Sequence, residues 1–271
     1  MLSDIINAAI MGIVEGITEF LPISSTGHLI VAGALLNFNA LGGTFEIFIQ
    51  LGAVLAVIVF YARELWGQAL AIGQPATQRL WLGILIAFIP AAVIGLLLGD
   101  FITEVLFSPV VVAIALIVGG ILFILVEQRP SAAQIAQTRE LSAISLRQAL
   151  VIGIGQTLAL IPGVSRSGAT IITGLLTGLD RPTATKFSFY LTIPTLGAAT
   201  VYSLVRSLDQ ITSDELVLLA VGTIVSFIVS LAAIGWLLRY VARNNFIAFG
   251  YYRILAGVVI LALVWLNVLR A

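Results

Sequence analysis

Residues 15–28 read Glu15-Gly16-Ile17-Thr18-Glu19-Phe20-Leu21-Pro22-Ile23-Ser24-Ser25-Thr26-Gly27-His28. The flanking sequence is strongly apolar, so this polar, turn-forming stretch breaks a hydrophobic region running from about residue 4 to about residue 37. Each arm offers roughly 10 to 17 helical residues at ~1.5 Å per residue, and crossing a bilayer core takes ~30 Å. The shorter arms cannot cross. A pair of short helices joined by a Pro/Ser turn reads as a re-entrant hairpin, tolerated in a membrane only where the exposed backbone is buried in protein or lines a polar cavity. The alternative is two kinked but complete spans. A second region, from about 145 to 178, is broken in the same way around Pro162-Gly163-Val164-Ser165-Arg166-Ser167-Gly168.

The rest of the chain fits the same solvent. Of 271 residues 60% are hydrophobic and 10% charged, with a mean hydropathy of +1.14. A soluble domain carries about a quarter charged residues, so an ordinary soluble enzyme is excluded. Lys and Arg together number 13, as do Asp and Glu, and no bulk charge points to nucleic acid. The lack of cysteine removes disulfides, thiolate catalysis and Cys-based metal centres, and a single histidine removes a multi-His site. The N-terminus lacks the basic n-region of a signal peptide, so the first helix is expected in the mature protein. Six further apolar stretches, near 45–62, 80–99, 106–126, 187–205, 216–238 and 249–269, are expected to span.

The two broken regions are copies. At an offset of 141, Gly12-Ile13 falls on Gly153-Ile154, Glu15 on Gln156, Ser24 on Ser165, Gly27 on Gly168, Ile30 on Ile171 and Gly33 on Gly174. At a slightly smaller offset, Gly83 and Phe88-Ile89 fall on Gly222 and Phe227-Ile228. The chain therefore reads as a single all-α membrane domain of two repeats, residues 1–140 and 141–271. Each holds one hairpin and three spans. Three is odd, so the second repeat is inverted relative to the first, an architecture known from transporters.

Charge placement gives the sides. One face receives Arg63, Arg79, Arg129, Arg139, Arg147, Arg181, Lys186, Arg239 and Arg243; the other receives Arg206 and Arg270 with Asp4, Asp100, Glu104, Asp209, Asp214 and Glu215. Both termini and the mouth of the first hairpin are expected outside the cytoplasm, and the second hairpin enters from the cytoplasmic side.

Ionisable groups at membrane depth are costly, which makes them functional candidates. Glu15 and Glu19 lie one helical turn apart, about 6 Å, and two carboxylates so close call for a cation between them. Oxygen ligands suit Mg²⁺ or Ca²⁺; the plainer reading is a solvated helix end. Ser24, Ser25 and Thr26 read as N-cap residues of the second arm, or with Gly27 as a phosphate cradle at a helix N-terminus. His28 is a structural histidine, a general base for a neighbouring hydroxyl, or a phosphate partner. In the second cluster Arg166 suits forked recognition of phosphate oxygens, with Ser165, Ser167 and the Gly168 amide as further donors; the plainer reading is an arginine reaching the headgroups. Inverted hairpins would bring both tips together, and carboxylates, metal, hydroxyl, imidazole and guanidinium then describe a phosphoryl-transfer site.

The stretch 15–28 resembles the first signature of the bacterial undecaprenyl-diphosphatase family, the integral-membrane type linked to bacitracin resistance. Pro162-Gly163-Val164-Ser165-Arg166-Ser167-Gly168-Ala169-Thr170 resembles its second, and Phe45-Glu46 with Ile49-Gln50-Leu51-Gly52 is also similar to it. The resemblance implies an enzyme of the bacterial plasma membrane. It would remove the terminal phosphate from undecaprenyl diphosphate and so regenerate the lipid carrier for peptidoglycan and other cell-wall polymers. It further implies Glu15 and Glu19 near the metal, Ser25 as nucleophile or phosphate ligand, His28 as acid/base, and Arg166 as diphosphate clamp. Attack by water is the competitor to attack by Ser25. A lipid flippase is the rival function, on the strength of the inverted repeats. The expected partners are the lipid substrate and membrane lipids, with a homodimer left open.

Overall fold

In a computed structural model the described residues are 2–38, 44–129, 138–207 and 212–269; Asp209 and Arg270 of the charge tally lie outside them. The described chain is helical throughout. Its main elements are α1 (Leu2–Thr18), α2 (Ser25–Leu36), α3 (Thr44–Phe60), α4 (Ala62–Leu70), α5 (Pro75–Phe101), α6 (Pro109–Glu127), α7 (Leu146–Thr157), α8 (Arg166–Leu176), α9 (Arg181–Ser207), α10 (Ser213–Val241) and α11 (Ile247–Trp265). Among the described residues β-type pairing is confined to an isolated bridge between Thr138 and Leu179.

Five of these helices are long and apolar enough to cross a membrane, and a sixth span is obtained if α3 and α4, bent by 65° at their junction, count as one. The protein is thus a multi-pass integral membrane protein. The stretches expected at 80–99 and 187–205 belong to longer helices that begin at Pro75 and Arg181. The stretch expected at 45–62 ends at Phe60, and the chain turns there into the separate helix α4.

Helix ends follow local chemistry. Ser145 caps α7 reciprocally: its hydroxyl accepts from the Gln148 amide at 3.2 Å, and the Gln148 side chain accepts from the Ser145 amide at 2.9 Å. Thr212 and Glu215 form the same box before α10, so in each case two amides left without helical partners are satisfied.

The helices carry apolar residues on their outward faces as well as in the buried core. In α1 the buried face is Ala8, Met11, Gly12, Glu15, Gly16 and Thr18, whereas Ile6, Ile13 and Ile17 face outward. In α8 the buried face includes Ser167, Gly168, Thr170 and Gly174. Small residues at contacts and apolar residues outward are what packing in lipid favours. Gly12 and Gly16 of α1 lie against the backbone carbonyls of Gly222 and Ser226 in α10, and a Cβ on Gly16 would come within 2.8 Å of the latter. Helix α7 meets α5 in the same manner, Gly153 lying on the Ala87 carbonyl. The remaining principal contacts are α6 with α11, α3 with α10, α3 with α9, α8 with α9, α5 with α9, and the short helices with each other, α1 with α2 and α7 with α8.

Candidate active site

Both polar clusters sit where one short helix ends and the next begins, and their backbones are alike. Ser24 precedes α2 with φ 70° and ψ 100°; Ser165 precedes α8 with φ 74° and ψ 120°. A side chain in this left-handed region costs about 1–3 kcal/mol and persists only where surrounding structure enforces it. Ser165 offsets part of that cost as an N-cap, its hydroxyl accepting from the Gly168 amide at 3.1 Å. Ser24 makes no such side-chain bond.

The two turns meet. Ser25 opens α2 and donates from its hydroxyl to Glu19 Oε2 at 2.7 Å. Arg166 opens α8 and reaches the other oxygen of the same carboxylate, Nη2 to Oε1 at 3.2 Å, with Nε at 3.4 Å. Its Nη1 donates to the Ser188 carbonyl of α9 at 2.9 Å. The Arg166 and Glu19 side chains are only 8% and 6% exposed, so this is a charged pair withdrawn from solvent and tied to its neighbours on every side. Ser167 crosses between the turns, donating to the Leu21 carbonyl at 3.2 Å, and its hydroxyl lies 3.0 Å from that of Ser165.

Glu15 lies one turn before Glu19, fully buried, with neither carboxylate oxygen meeting a hydrogen-bond partner. Glu46 Oε2, on α3, is likewise buried without one, and Glu19, Arg166 and Glu46 all lie within electrostatic range of Glu15. Three buried carboxylate oxygens without donors, two of Glu15 and one of Glu46, are a net demand for positive charge. Among the described residues no three His, Cys, Asp or Glu side chains converge as a ready-made metal cage. A hard divalent ion that takes one or two carboxylates and fills its other positions with water and phosphate oxygens needs no such cage.

His28 is not brought to Ser25. Its Nδ1 lies 2.8 Å from the Ser24 carbonyl, which can only accept, so in the neutral ring the hydrogen is on Nδ1 and Nε2 accepts from the Tyr252 hydroxyl at 2.7 Å. The two rings stack with centroids 5.6 Å apart. Thr26 is half-buried in the first turn of α2. Gly27 lets α2 close on Val112 and Leu116 of α6, where a Cβ would meet Val112 at 3.1 Å.

Sequence reasoning passed over Tyr252, Glu46 as a site residue, and above all Arg253. Arg253 is fully buried. Its Nη1 donates to the Pro22 carbonyl at 3.0 Å, its Nη2 to Gly163 at 3.1 Å and Val164 at 2.9 Å, and its remaining contacts go to Ala115 and Leu116 of α6. One signal was available. Of the 13 basic residues, nine fall on one face, two on the other and Arg166 in the site, which leaves one cation unassigned within an apolar span.

The fold and this cluster define a class: a multi-pass helical membrane protein with a buried carboxylate, hydroxyl and guanidinium site. The family described as bacitracin resistance protein BacA matches residues 8–259, and the chain belongs to it. It is 50% identical over 267 residues to an undecaprenyl-diphosphatase of Albidiferax ferrireducens, covering 96% of this chain and 95% of that one. It is 49% identical over 271 residues to that of Deinococcus radiodurans, covering 98% of each. With undecaprenyl-diphosphatase 1 of Chromobacterium violaceum the identity is 51% over 262 residues and 96% of each chain.

Proposed function

We propose that this protein hydrolyses undecaprenyl diphosphate to undecaprenyl phosphate and inorganic phosphate, recycling the lipid carrier of cell-wall synthesis. The observation that carries the reading is the single carboxylate of Glu19, which accepts from the Ser25 hydroxyl on one oxygen and pairs with Arg166 on the other. The activity for which the relatives are named agrees with it.

In this reading Arg166 rests on Glu19 until a diphosphate competes for its guanidinium, which frees the carboxylate to take the Ser25 proton. Ser25 Oγ then bonds to the terminal phosphorus. The bond from that phosphorus to the bridging oxygen breaks, and undecaprenyl phosphate leaves with the oxygen. Water next attacks the phosphoserine, phosphate departs with the hydroxide and proton of that water, and Glu19 returns its proton to Ser25. Ser24, Thr26, Gly27, Ser165, Ser167 and Gly168 supply hydroxyls and helix-start amides around the phosphates, and His28 bears on the site through the Ser24 carbonyl. Glu15 and Glu19 would hold Mg²⁺ or Ca²⁺; Glu15's two partnerless buried oxygens support that assignment. When bound, the ion supplies positive charge against the diphosphate.

The reading includes two inverted repeats, residues 1–140 and 141–271, each a re-entrant hairpin followed by three spans. Two observations support it. The equivalent serines 24 and 165 share one unusual backbone conformation. Exchanging α1 with α7, α2 with α8, α3 with α9, α5 with α10 and α6 with α11 turns the contact of α1 with α10 into that of α7 with α5, and that of α3 with α10 into that of α9 with α5. The basic face is then cytoplasmic, and the first hairpin opens outside.

Phosphate release from undecaprenyl diphosphate in detergent tests the function. The wild type is expected to turn over, a chelator to stop it, and Arg166→Ala to lower kcat/KM about 10³-fold, as loss of a charge-stabilising donor does. Protein that moves the lipid across vesicles while releasing no phosphate would overturn the reading in favour of a flippase.

A further inference from the structure

Arg253 presents an unusual inventory. A guanidinium has five N–H donors and no acceptor, and buried arginines ordinarily meet carboxylates. This one makes its hydrogen bonds to backbone carbonyls, on three separate pieces of chain: Pro22 in the first polar turn, Gly163 and Val164 in the second, and Ala115 and Leu116 in α6. The surroundings are shaped to admit it. A Cβ on Gly119 would collide with its Nη2, one on Gly120 would lie 3.1 Å from its Cβ, and one on Gly168 would lie 3.1 Å from its Nη1. The Phe123 ring lies 5.8 Å from its Cζ on the remaining side.

Three of the carbonyls it gathers, those of Pro22, Gly163 and Val164, lie where the chain stops being helical, and the other two, those of Ala115 and Leu116, lie within α6. Pro22 lies two residues before the left-handed Ser24, and Gly163 and Val164 immediately precede the left-handed Ser165. One planar fork thus ties the same point of both turns, and just beyond those points lie Ser25 and Arg166, which must converge on Glu19.

We infer that Arg253 is the positioning residue that holds the two polar turns in register, so that the hydroxyl from one and the guanidinium from the other meet on a single carboxylate. It makes no hydrogen bond to Ser25, Glu19 or Arg166, and acts through backbone. Lysine cannot replace it: an ammonium is a point charge on a flexible stem and cannot hold the fixed fork. Its catalytic consequence rests on the hydrolytic reading; its geometric consequence does not.

The test uses Arg253→Lys and, independently, Gly119→Ala, which keeps the arginine but displaces its guanidinium. Two readouts are taken on full-length protein in detergent: steady-state phosphate release, and amide hydrogen exchange over residues 19–28 and 160–169. Arg253→Lys is expected to lower kcat about 10²-fold, the scale of an ångström's misplacement, with KM within about threefold by the same reasoning. Exchange should quicken in both turns together and nowhere else. Gly119→Ala should reproduce the pattern, and the double variant should be no slower than Arg253→Lys, because both remove one clamp. Unchanged exchange in both turns overturns the inference, as does a uniform rise through all helices, which would mark general destabilisation. Should the wild type release no phosphate while the two-turn exchange response appears, the hydrolytic reading falls and the clamp stands.

Discussion

At the scale of single residues, Glu19 and Ser25 behave as one unit. Ser25 has its hydroxyl proton already directed at Glu19 Oε2, so on the proposed mechanism removing either partner would disable the same step. Ser25→Ala is expected to lower kcat about 10³-fold or more, Glu19→Gln by a similar factor, and the pair together no further, the non-additivity of groups acting in concert. Acid-quenched wild-type enzyme should carry phosphate on Ser25. Full turnover by Ser25→Ala would instead assign the attack to water. The acidic pair, the hydroxyl run and Arg166 were all legible as candidates, because charge and hydroxyls stand out against apolar sequence. What could not be read was which oxygen meets which donor. Spacing put His28 within a turn of Ser25, yet the ring turns to Tyr252, 224 residues along the chain. Arg253 was hidden for a different reason: its partners are carbonyls, which every residue possesses and no residue type announces.

At the scale of elements, the short helices were legible from their Pro/Gly/Ser interruptions, and the long ones from apolar length. The 65° bend that separates α3 from α4 was not, since no proline or glycine marks Tyr61. At that boundary Tyr61 is buried and packs against Tyr190, with 5.3 Å between ring centroids. Helix contacts here depend on the lack of a side chain at a few points. Gly52 of α3 lies against the Thr223 carbonyl of α10, and a Cβ would also come within 2.8 Å of the Phe227 nitrogen. Both obstacles are backbone and cannot rotate away. Gly52→Val is therefore expected to destabilise by about 1–3 kcal/mol, the range of overpacking. Gly73→Ala, where nothing lies within 4 Å, should stay within about 0.5 kcal/mol of wild type. Thermal midpoints in detergent measure both, and equal midpoints would contradict the close approach of α3 to α10.

At the scale of the whole molecule, the split of basic residues between the two faces predicts orientation. The chain has no cysteine, so single introduced cysteines can be labelled without background. With a membrane-impermeant maleimide, cysteines at Asn37 and Thr212 are expected to label in right-side-out vesicles, and those at Arg63 and Asn245 in inside-out vesicles only; all four positions are exposed. A cysteine at Thr26 separates the hairpin from two full spans, because full spans would bring it to the cytoplasmic surface. On the basic face the structure also locks elements together. Glu127 at the end of α6 accepts from Arg181 at the start of α9 with Nε at 2.9 Å, and from the Phe246 amide just before α11 at 3.0 Å.

The equivalence of the two polar turns carries one more consequence. At the offset of 141 Ser25 corresponds to Arg166, Glu19 to Leu160 and His28 to Ala169, so on the proposed two-repeat reading the nucleophile candidate and its opposing cation would occupy the same place in two copies of one design. A half-length chain pairing with itself would have to put the same residue at both places, two hydroxyls with no cation or two guanidiniums with nothing to attack. Joining the copies in one polypeptide lifts that constraint. On the proposed two-repeat reading one half is free to specialise as the acidic, hydroxyl-bearing partner and the other as the basic one, and the asymmetry that chemistry on a single phosphorus demands would come from divergence within a duplicated chain.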